Sequence, residues 1–396
     1  MKKTFALIAL VTVLALLALP SVVMFADGTE TLGPPSISIA SGSGFVAAGT
    51  GLETQPGSIT IDVPAGATVK QVLLYWSNEF YGTGDDTVNV NAIPVTGTSI
   101  GGPTVFYYFN GDVKLQSFRA DITALGLVGA GANTLTIDGL DPLGLGAGVL
   151  VIFDDGSSTA DIQIRDGNDL AYIGFAPPLD TTVPQTFDFA PAAADRTADL
   201  VIFAGSVGGA GRPNAVAITV EGTTTTVVNP LGSFDGNYWD TAHLSAFIPA
   251  GASSLTVQVL SQGDGSGNQP ASLNWIGAGL SVPPVEGEGC TPGFWKNPKK
   301  YVFWPAAYQP GDLFYPVFGR DAFPGQTLGE TIKLKGGGLN YLGRAATAAL
   351  LNAASFSTYP YTEAEVISMF QAAYDSGNYE DTADDFDDAN NLGCPY

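Results

Sequence analysis

The chain has one histidine, His243, among its 396 residues, and that scarcity decides most questions about catalysis. Zinc sites built from several imidazoles, the HExxH helix included, need at least two. A Ser-His-Asp triad would have to run through His243, the one histidine. No G-x-x-x-x-G-K-[ST] loop is present to cradle phosphates. With 38 Asp and Glu residues, carboxylate pairs arise by chance, and the separation a glycosidase needs is not written in a linear sequence. The chain reads as non-catalytic, with a carboxylate-only hydrolase as the remaining enzymatic alternative.

Two acidic segments have the chemistry to hold a hard cation. Asp264-Gly265-Ser266-Gly267-Asn268 sets oxygen-bearing side chains Asp264, Ser266 and Asn268 at alternate positions around glycines. An EF-hand would want an acid at the twelfth position, where this chain has Trp275. The second candidate is Asp381, Asp384 and Asp385, followed by Asp387 and Asp388. Calcium is thus the one cofactor the sequence can support; a solvated turn and a solvated helix face are the plainer readings. For a ligand with apolar faces, Trp76, Tyr81 and Tyr107 are the candidate aromatics, from the clusters Trp76–Tyr81 and Phe106–Phe109. Core packing uses the same residue types. Lysine–carboxamide crosslinks find little material, since only Lys70 and Lys114 lie in this part of the chain.

The elements that would carry these groups are strands. Ser58-Ile59-Thr60-Ile61-Asp62-Val63, Thr87-Val88-Asn89-Val90 and Thr134-Leu135-Thr136-Ile137 alternate polar and apolar residues. Side chains flip face at each strand residue, so a period of two marks a strand with one buried side. Val72–Trp76, Val149–Phe153 and Leu200–Phe203 are apolar throughout, which suits strands covered on both faces. Asp155-Gly156, Asp166-Gly167 and Asp235-Gly236 punctuate the series as turns. Many short strands between regular turns predict jelly-roll or Greek-key sandwiches.

An internal echo divides them. Ala130-Gly131-Ala132-Asn133-Thr134-Leu135-Thr136-Ile137 answers Ala250-Gly251-Ala252-Ser253-Ser254-Leu255-Thr256-Val257, each preceded by an aromatic-bearing polar segment and followed by an apolar strand. The expected organisation is two related sandwiches, 27–155 and 156–282, with two unrelated β-domains as the alternative. Residues 283–289, rich in Pro, Gly and Glu, form a linker. From 290 to 396 the character changes. Arg344–Phe356 reads as a helix, and Thr362-Glu363-Ala364-Glu365 as a capping box opening another, with Val366, Ile367, Phe370 and Tyr374 on one face and Gly377 as its stop.

The ends and the composition set the compartment. Lys2 and Lys3 precede an apolar run from Phe5 to Leu19, and Ala26 offers a small residue at a cleavage point, the order of a secretory signal peptide over residues 1–26. An uncleaved N-terminal anchor is the alternative; no later stretch is apolar enough to span a bilayer, so the mature chain is expected to have none. Removing the two lysines of residues 1–26 takes the net charge from −23 to −25. A chain this acidic repels phosphate backbones, which excludes nucleic acid as a partner. Export also places Cys290 and Cys394, the only two cysteines, where an even pair reads as a disulfide.

Cys290-Thr291-Pro292-Gly293-Phe294-Trp295-Lys296 resembles the C-T-P-G-[FY]-W-K modules near the ends of many exported bacterial proteins. Ala348–Ala354, Tyr359-Pro360 and Asn390-Asn391-Leu392-Gly393-Cys394-Pro395 agree with it, so the likeness covers residues 290–396. Those modules often carry a His soon after the Lys-Asn, where this chain has Pro298. The region Gln71–Asp155 also resembles β-sandwich ectodomains of microbial surface proteins, in its L-Y-W strand, its Asp121-Ile122-Thr123 segment and its G-x-N-T turn. The two resemblances imply a secreted or cell-surface location and a structural or adhesive role. The implied partners are other surface or matrix proteins, further copies of the chain, or polysaccharide bound with calcium as an alternative.

Overall fold

The computed structural model describes residues 24–140, 144–192, 195–208, 211–232, 234–284, 288–356 and 358–396. The expected leader lies outside the described residues up to residue 23, as does the linker at 285–287. Contacts divide the chain into two compact units. One runs to Phe187 and adds Asp199–Ala246 and Leu255–Ser281; the other joins Asp188–Ala198 and Phe247–Ser254 to Val282–Tyr396.

The first unit is mainly β. In chain order its strands are β1 (Met24–Phe25), β2 (Leu32–Gly33), β3 (Gly44–Gly51), β4 (Gly57–Val63), β5 (Thr68–Phe80), β6 (Thr87–Val90), β7 (Ile93–Thr96), β8 (Thr98–Tyr108), β9 (Asp112–Asp121), β10 (Gly131–Asp138) and β11 (Gly144–Asp154). Then follow β12 (Asp161–Ala171), β13 (Gln185–Asp188), β14 (Arg196–Gly205), β15 (Ala215–Val220), β16 (Thr223–Val228), β17 (Trp239–Ile248), β18 (Ser254–Leu260) and β19 (Leu273–Val282). They form four sheets, ordered β1-β8-β9-β5-β11-β3, β4-β10-β6-β7, β17-β14-β19-β12-β2 and β13-β18-β15-β16.

Those orders repeat one topology twice. Successive strands β3, β4, β5, β6 alternate between a large and a small sheet; β12, β13, β14, β15 do the same. The cores β9-β5-β11-β3 and β17-β14-β19-β12 match position by position, as do β4-β10-β6-β7 and β13-β18-β15-β16. Each set is an eight-stranded jelly roll. The echoed segments of the sequence, β10 and β18, occupy the same place in the two copies. To the first copy is added β8, and to its edge β1, which pairs in parallel with Met24 opposite Thr104, before the expected mature start. Short β2 crosses over to pair with β12, so part of the stretch before residue 44 completes the second copy.

The strand pleat explains the apolar runs. On β5, Val72, Leu74 and Trp76 point into the first sandwich with Ile59, Ile61, Leu135 and Ile137. Leu73 and Tyr75 point the other way, into a layer with Leu150, Ile152, Ile164, Val201, Phe203, Trp239 and Ile276. The two large sheets therefore lie back to back, and β5 and β11 are covered on both faces. Each fully buried Leu, Ile, Val or Phe contributes about 1.5–3 kcal/mol.

Glycines make that interlayer contact close. A Cβ on Gly49 would lie 2.4 Å from Trp239 Nε1, and one on Gly146 would lie 2.5 Å from Trp239 Cβ. On Gly148 it would meet the Phe203 ring at 2.7 Å. The three form a bare trough on the first copy that receives Trp239 and Phe203 of the second. Towards one end the layer turns polar: buried Arg119 pairs with Asp166, which also accepts from Tyr75, and Ser117 donates to Asn168 at 2.7 Å.

The second unit contains the helices Leu339–Ser355, Glu363–Ser376 and Glu380–Asn390. The first begins five residues before the expected Arg344, because Gly338, at φ 58°, turns the chain into it. Thr362 and Glu365 form the reciprocal capping box, and Gly377 closes that helix at φ 75°. Cys290 and Cys394 are bonded, with Cα atoms 4.5 Å apart. Beside the bond sits Asn352, fully buried, which accepts from Cys290 N and Trp295 Nε1 at 2.8 Å each. It donates to Cys290 O at 2.9 Å and to Asn390 Oδ1 at 2.6 Å, and Asn390 also accepts from Tyr359 at 2.9 Å. Thr291 caps the turn Pro292–Trp295. Cys290, Trp295, Asn352, Tyr359 and Asn390 thus meet as one buried network.

Candidate functional site

A cleft of about 450 Å³ opens where the same end of both jelly rolls converges. From the first copy, Glu53 follows β3, Glu79 ends β5, Phe106 and Tyr107 end β8, and Leu145 begins β11. The second copy supplies Tyr172 and Phe175 after β12, and Ser206, Gly208 and Arg212 after β14. Tyr238 precedes β17, and Gln269 and Ser272 precede β19. These are corresponding loops of the two copies. Clefts at such junctions are where ligand sites concentrate, because two rigid frameworks can each contribute side chains.

Its floor is aromatic. Tyr172 and Phe175 meet edge to face with ring centroids 5.2 Å apart, Phe175 and Phe106 do so at 5.6 Å, and Phe106 and Tyr107 follow at 6.1 Å. Beneath them Leu115, Leu145 and Leu170 are buried. Such edge-to-face pairs add about 0.5–1.5 kcal/mol beyond area burial, so the row is held in place before any ligand arrives.

The polar groups are distributed unevenly. On the first copy, Tyr107 donates its hydroxyl to Glu79 Oε1. Burial pushes the Glu79 carboxyl above the usual carboxylate range, against the lowering pull of that bond. Burial, followed by the Glu79 interaction, pushes the Tyr107 phenol well above its ordinary value, with smaller contributions from Tyr81 and Tyr238. Glu53 accepts from Asn237 N at 3.2 Å. On the second copy, Arg212 donates from Nη1 to Ser272 Oγ at 3.2 Å and from Nη2 to Pro270 O at 2.6 Å, while Gln269 donates to the Tyr172 hydroxyl. Acceptors line one wall and donors the other.

Of the aromatics picked from the sequence, Tyr107 lines the cleft. Tyr81, 47% exposed, is not among its lining residues. Trp76 is corrected to a core residue: it is fully buried, stacked on Phe118 at 5.6 Å and donating to Asp85 O. It shares a pleat face with Leu74, which the run Val72–Trp76 does not reveal.

The cation candidates do not converge. No group of three or more His, Cys, Asp or Glu side chains is placed to hold a metal among the described residues. Asp264 accepts from Ser266 N at 2.9 Å and from Asn229 Nδ2 at 2.9 Å, and the bonds to Ser266 and then Asn229 hold its carboxyl down at about 2. Asn268 N turns back to Ser266 Oγ. Asp381 accepts from Asn378 and Asp384 from Tyr341, and Asp385 is an exposed residue of the same helix. His243 is exposed on β17.

No family model and no curated protein matches the chain. Among solved structures, a cycloalternan-forming enzyme from Listeria monocytogenes in complex with a pentasaccharide substrate matches at 10% identity and TM-score 0.20, over 57% of this chain and 19% of that one. The chain thus spans about a fifth of that enzyme. A peptide-N4-(N-acetyl-β-D-glucosaminyl) asparagine amidase matches at 14% identity and TM-score 0.24, over 60% and 96% of the two chains. The ANXUR2 extracellular domain from Arabidopsis thaliana matches at 9% and 0.21, over 65% and 89%. Likenesses at these TM-scores carry no argument about function.

Proposed function

We propose that the chain is an exported, adhesive, non-catalytic protein of the cell surface or extracellular matrix, and that its double jelly roll holds a saccharide in the cleft. The observation that carries this reading is the row Tyr172–Phe175–Phe106–Tyr107 lying beside two carboxylates and a guanidinium. A pyranose has apolar faces that pack on aromatic rings and a rim of hydroxyls that carboxylates and guanidinium groups bind in pairs. The volume suits a di- or trisaccharide. Export is supported by the leader pattern and by the disulfide, which persists in oxidising compartments. Among the described residues, no helix is long and apolar enough to cross a membrane.

Calorimetric titration against a panel of oligosaccharides tests the reading. Tyr238, 43% exposed at the rim, supplies the control: Tyr238→Ala should weaken binding by about tenfold. Retention of binding in a chelator separates a metal-free site from the calcium-dependent alternative. Turnover of the ligand would replace binding by the carboxylate-hydrolase reading, and an inert panel would remove the saccharide.

A further inference from the structure

We infer that the saccharide held in the cleft carries a carboxylate, as a hexuronic acid residue does, and that Arg212 receives it. The inference rests on the saccharide reading of the cleft and narrows it to acidic sugars.

Arg212 is the starting point. In a chain with 38 acidic residues, no carboxylate of the described residues lies within 4.0 Å of its guanidinium, whereas buried Arg119 and half-buried Arg320 both have acidic partners. A guanidinium presents five N–H donors in a fixed fork. Two bonds, to Ser272 Oγ and Pro270 O, hold the group in place, and three donors remain for a ligand. Gly208 clears its position: at φ +74° it is left-handed, and a Cβ there would stand 2.5 Å from Arg212 Nη1. Gly208 and the Arg212 guanidinium therefore fit against each other. A guanidinium fixed by neutral partners inside a cleft is complementary to a planar anion, because bidentate N–H···O⁻ pairs are about twice as strong as neutral hydrogen bonds.

The opposite wall limits what else the ligand is. Glu53 and Glu79 accept hydrogen bonds and repel a second anion, so a free dianion is disfavoured. A ring with one carboxylate towards Arg212 and hydroxyls towards Glu53 and Glu79 satisfies both walls, while its face rests on the aromatic floor. Neutral sugars would use the same floor and the same glutamates but would leave the three donors of Arg212 to water.

The test uses a trisaccharide with a single hexuronic acid residue and the methyl ester of that residue, which keeps the ring and removes the charge. Titrated into the whole protein at low salt, the acid should bind at least tenfold tighter than the ester. The gap should narrow at 0.5 M NaCl. R212Q should bind acid and ester alike, and R212K, which keeps the charge but loses the fork, should fall between. Melting curves of both variants matching the parent exclude misfolding as the cause. Equal affinity for acid and ester in the parent, or binding of neutral oligosaccharides alone, would overturn the inference and leave the saccharide reading standing. Failure of every acidic and neutral sugar would remove both.

Discussion

Replacing Asp169 by Asn should stabilise the protein, and only above acidic pH. Asp169 lies on β12 with 1% of its surface exposed, its Oδ2 accepting from Val183 N at 2.8 Å. No cation pairs with it among the described residues. Burial pushes its carboxyl up to about 7, the Val183 bond opposing and the Glu30 charge adding to the rise. In the unfolded chain an aspartate titrates near about 3.9. Below about pH 4 both states hold the proton and burial carries no charge penalty. As pH rises, the unfolded state loses its proton first, and folding stability falls by about 1.4 kcal/mol per unit until the folded carboxyl ionises near 7. Three units make about 4 kcal/mol, an upper figure for one buried group. Asparagine keeps the oxygen that Val183 needs and never ionises. The variant should match the parent at pH 4 and exceed it at pH 8 by up to about 4 kcal/mol, a Tm gap on the order of 10 °C for a folding unit of this size. Calorimetric melts at one-unit steps from pH 4 to 8 give the curve directly. A gap that is constant with pH, or a variant less stable at pH 8, would refute the reasoning.

Other expectations follow from the same contacts. Exchanging Cys290 and Cys394 for serine should cost the C-terminal module about 4–5 kcal/mol by the chain-entropy model, and thiol titration of the unfolded, unreduced parent should find no free cysteine. Asn352→Leu would strand Cys290 N–H and Trp295 Nε1–H, each at about 1–3 kcal/mol; a guanidinium melt read by fluorescence should show about 2–6 kcal/mol lost, and a smaller loss would refute it. Gly148→Val should destabilise by about 1–3 kcal/mol by pressing on Phe203, while Gly33→Ala, where the added carbon meets nothing within 4 Å, should be neutral in the same denaturant melt. Mass spectrometry of secreted protein should place its first residue near Asp27, and an intact Met1 would contradict the leader.

The strands were legible because period two is a local signal: Ile59, Ile61 and Val63 announce their face without reference to anything distant. The repeated topology was legible for a related reason, since β10 and β18 have matching turns and patterns and take the same place in their sheets. What sequence could not convey is which of two buried faces a residue takes. Trp76 and Tyr75 are neighbours of similar chemistry, yet one packs inside the first sandwich and the other between the sheets. The cleft was harder still. Tyr172, Phe175, Arg212 and Tyr238 stand in separate loops with no motif around them, and only the convergence of two jelly-roll ends makes them neighbours. Placing them from sequence would have required aligning the two copies strand by strand and reading equivalent loops together. The acidic segments are the converse case: their spacing is suggestive in the sequence, while in the fold Asp264 accepts from Ser266 and Asn229.

The glycine trough of Gly49, Gly146 and Gly148 bears on how such a protein can change over generations. Once Trp239 and Phe203 came to rest in it, neither jelly roll remained a spare copy of the other. A gene that lost the second would leave Leu73, Tyr75, Leu150 and Ile152 facing water; one that lost the first would leave a tryptophan with no seat. Each half therefore covers apolar surface that the other would leave bare. The same lock denies the halves a hinge, so affinity is expected to evolve by exchanging loop residues on a fixed frame, not by tuning a closing motion.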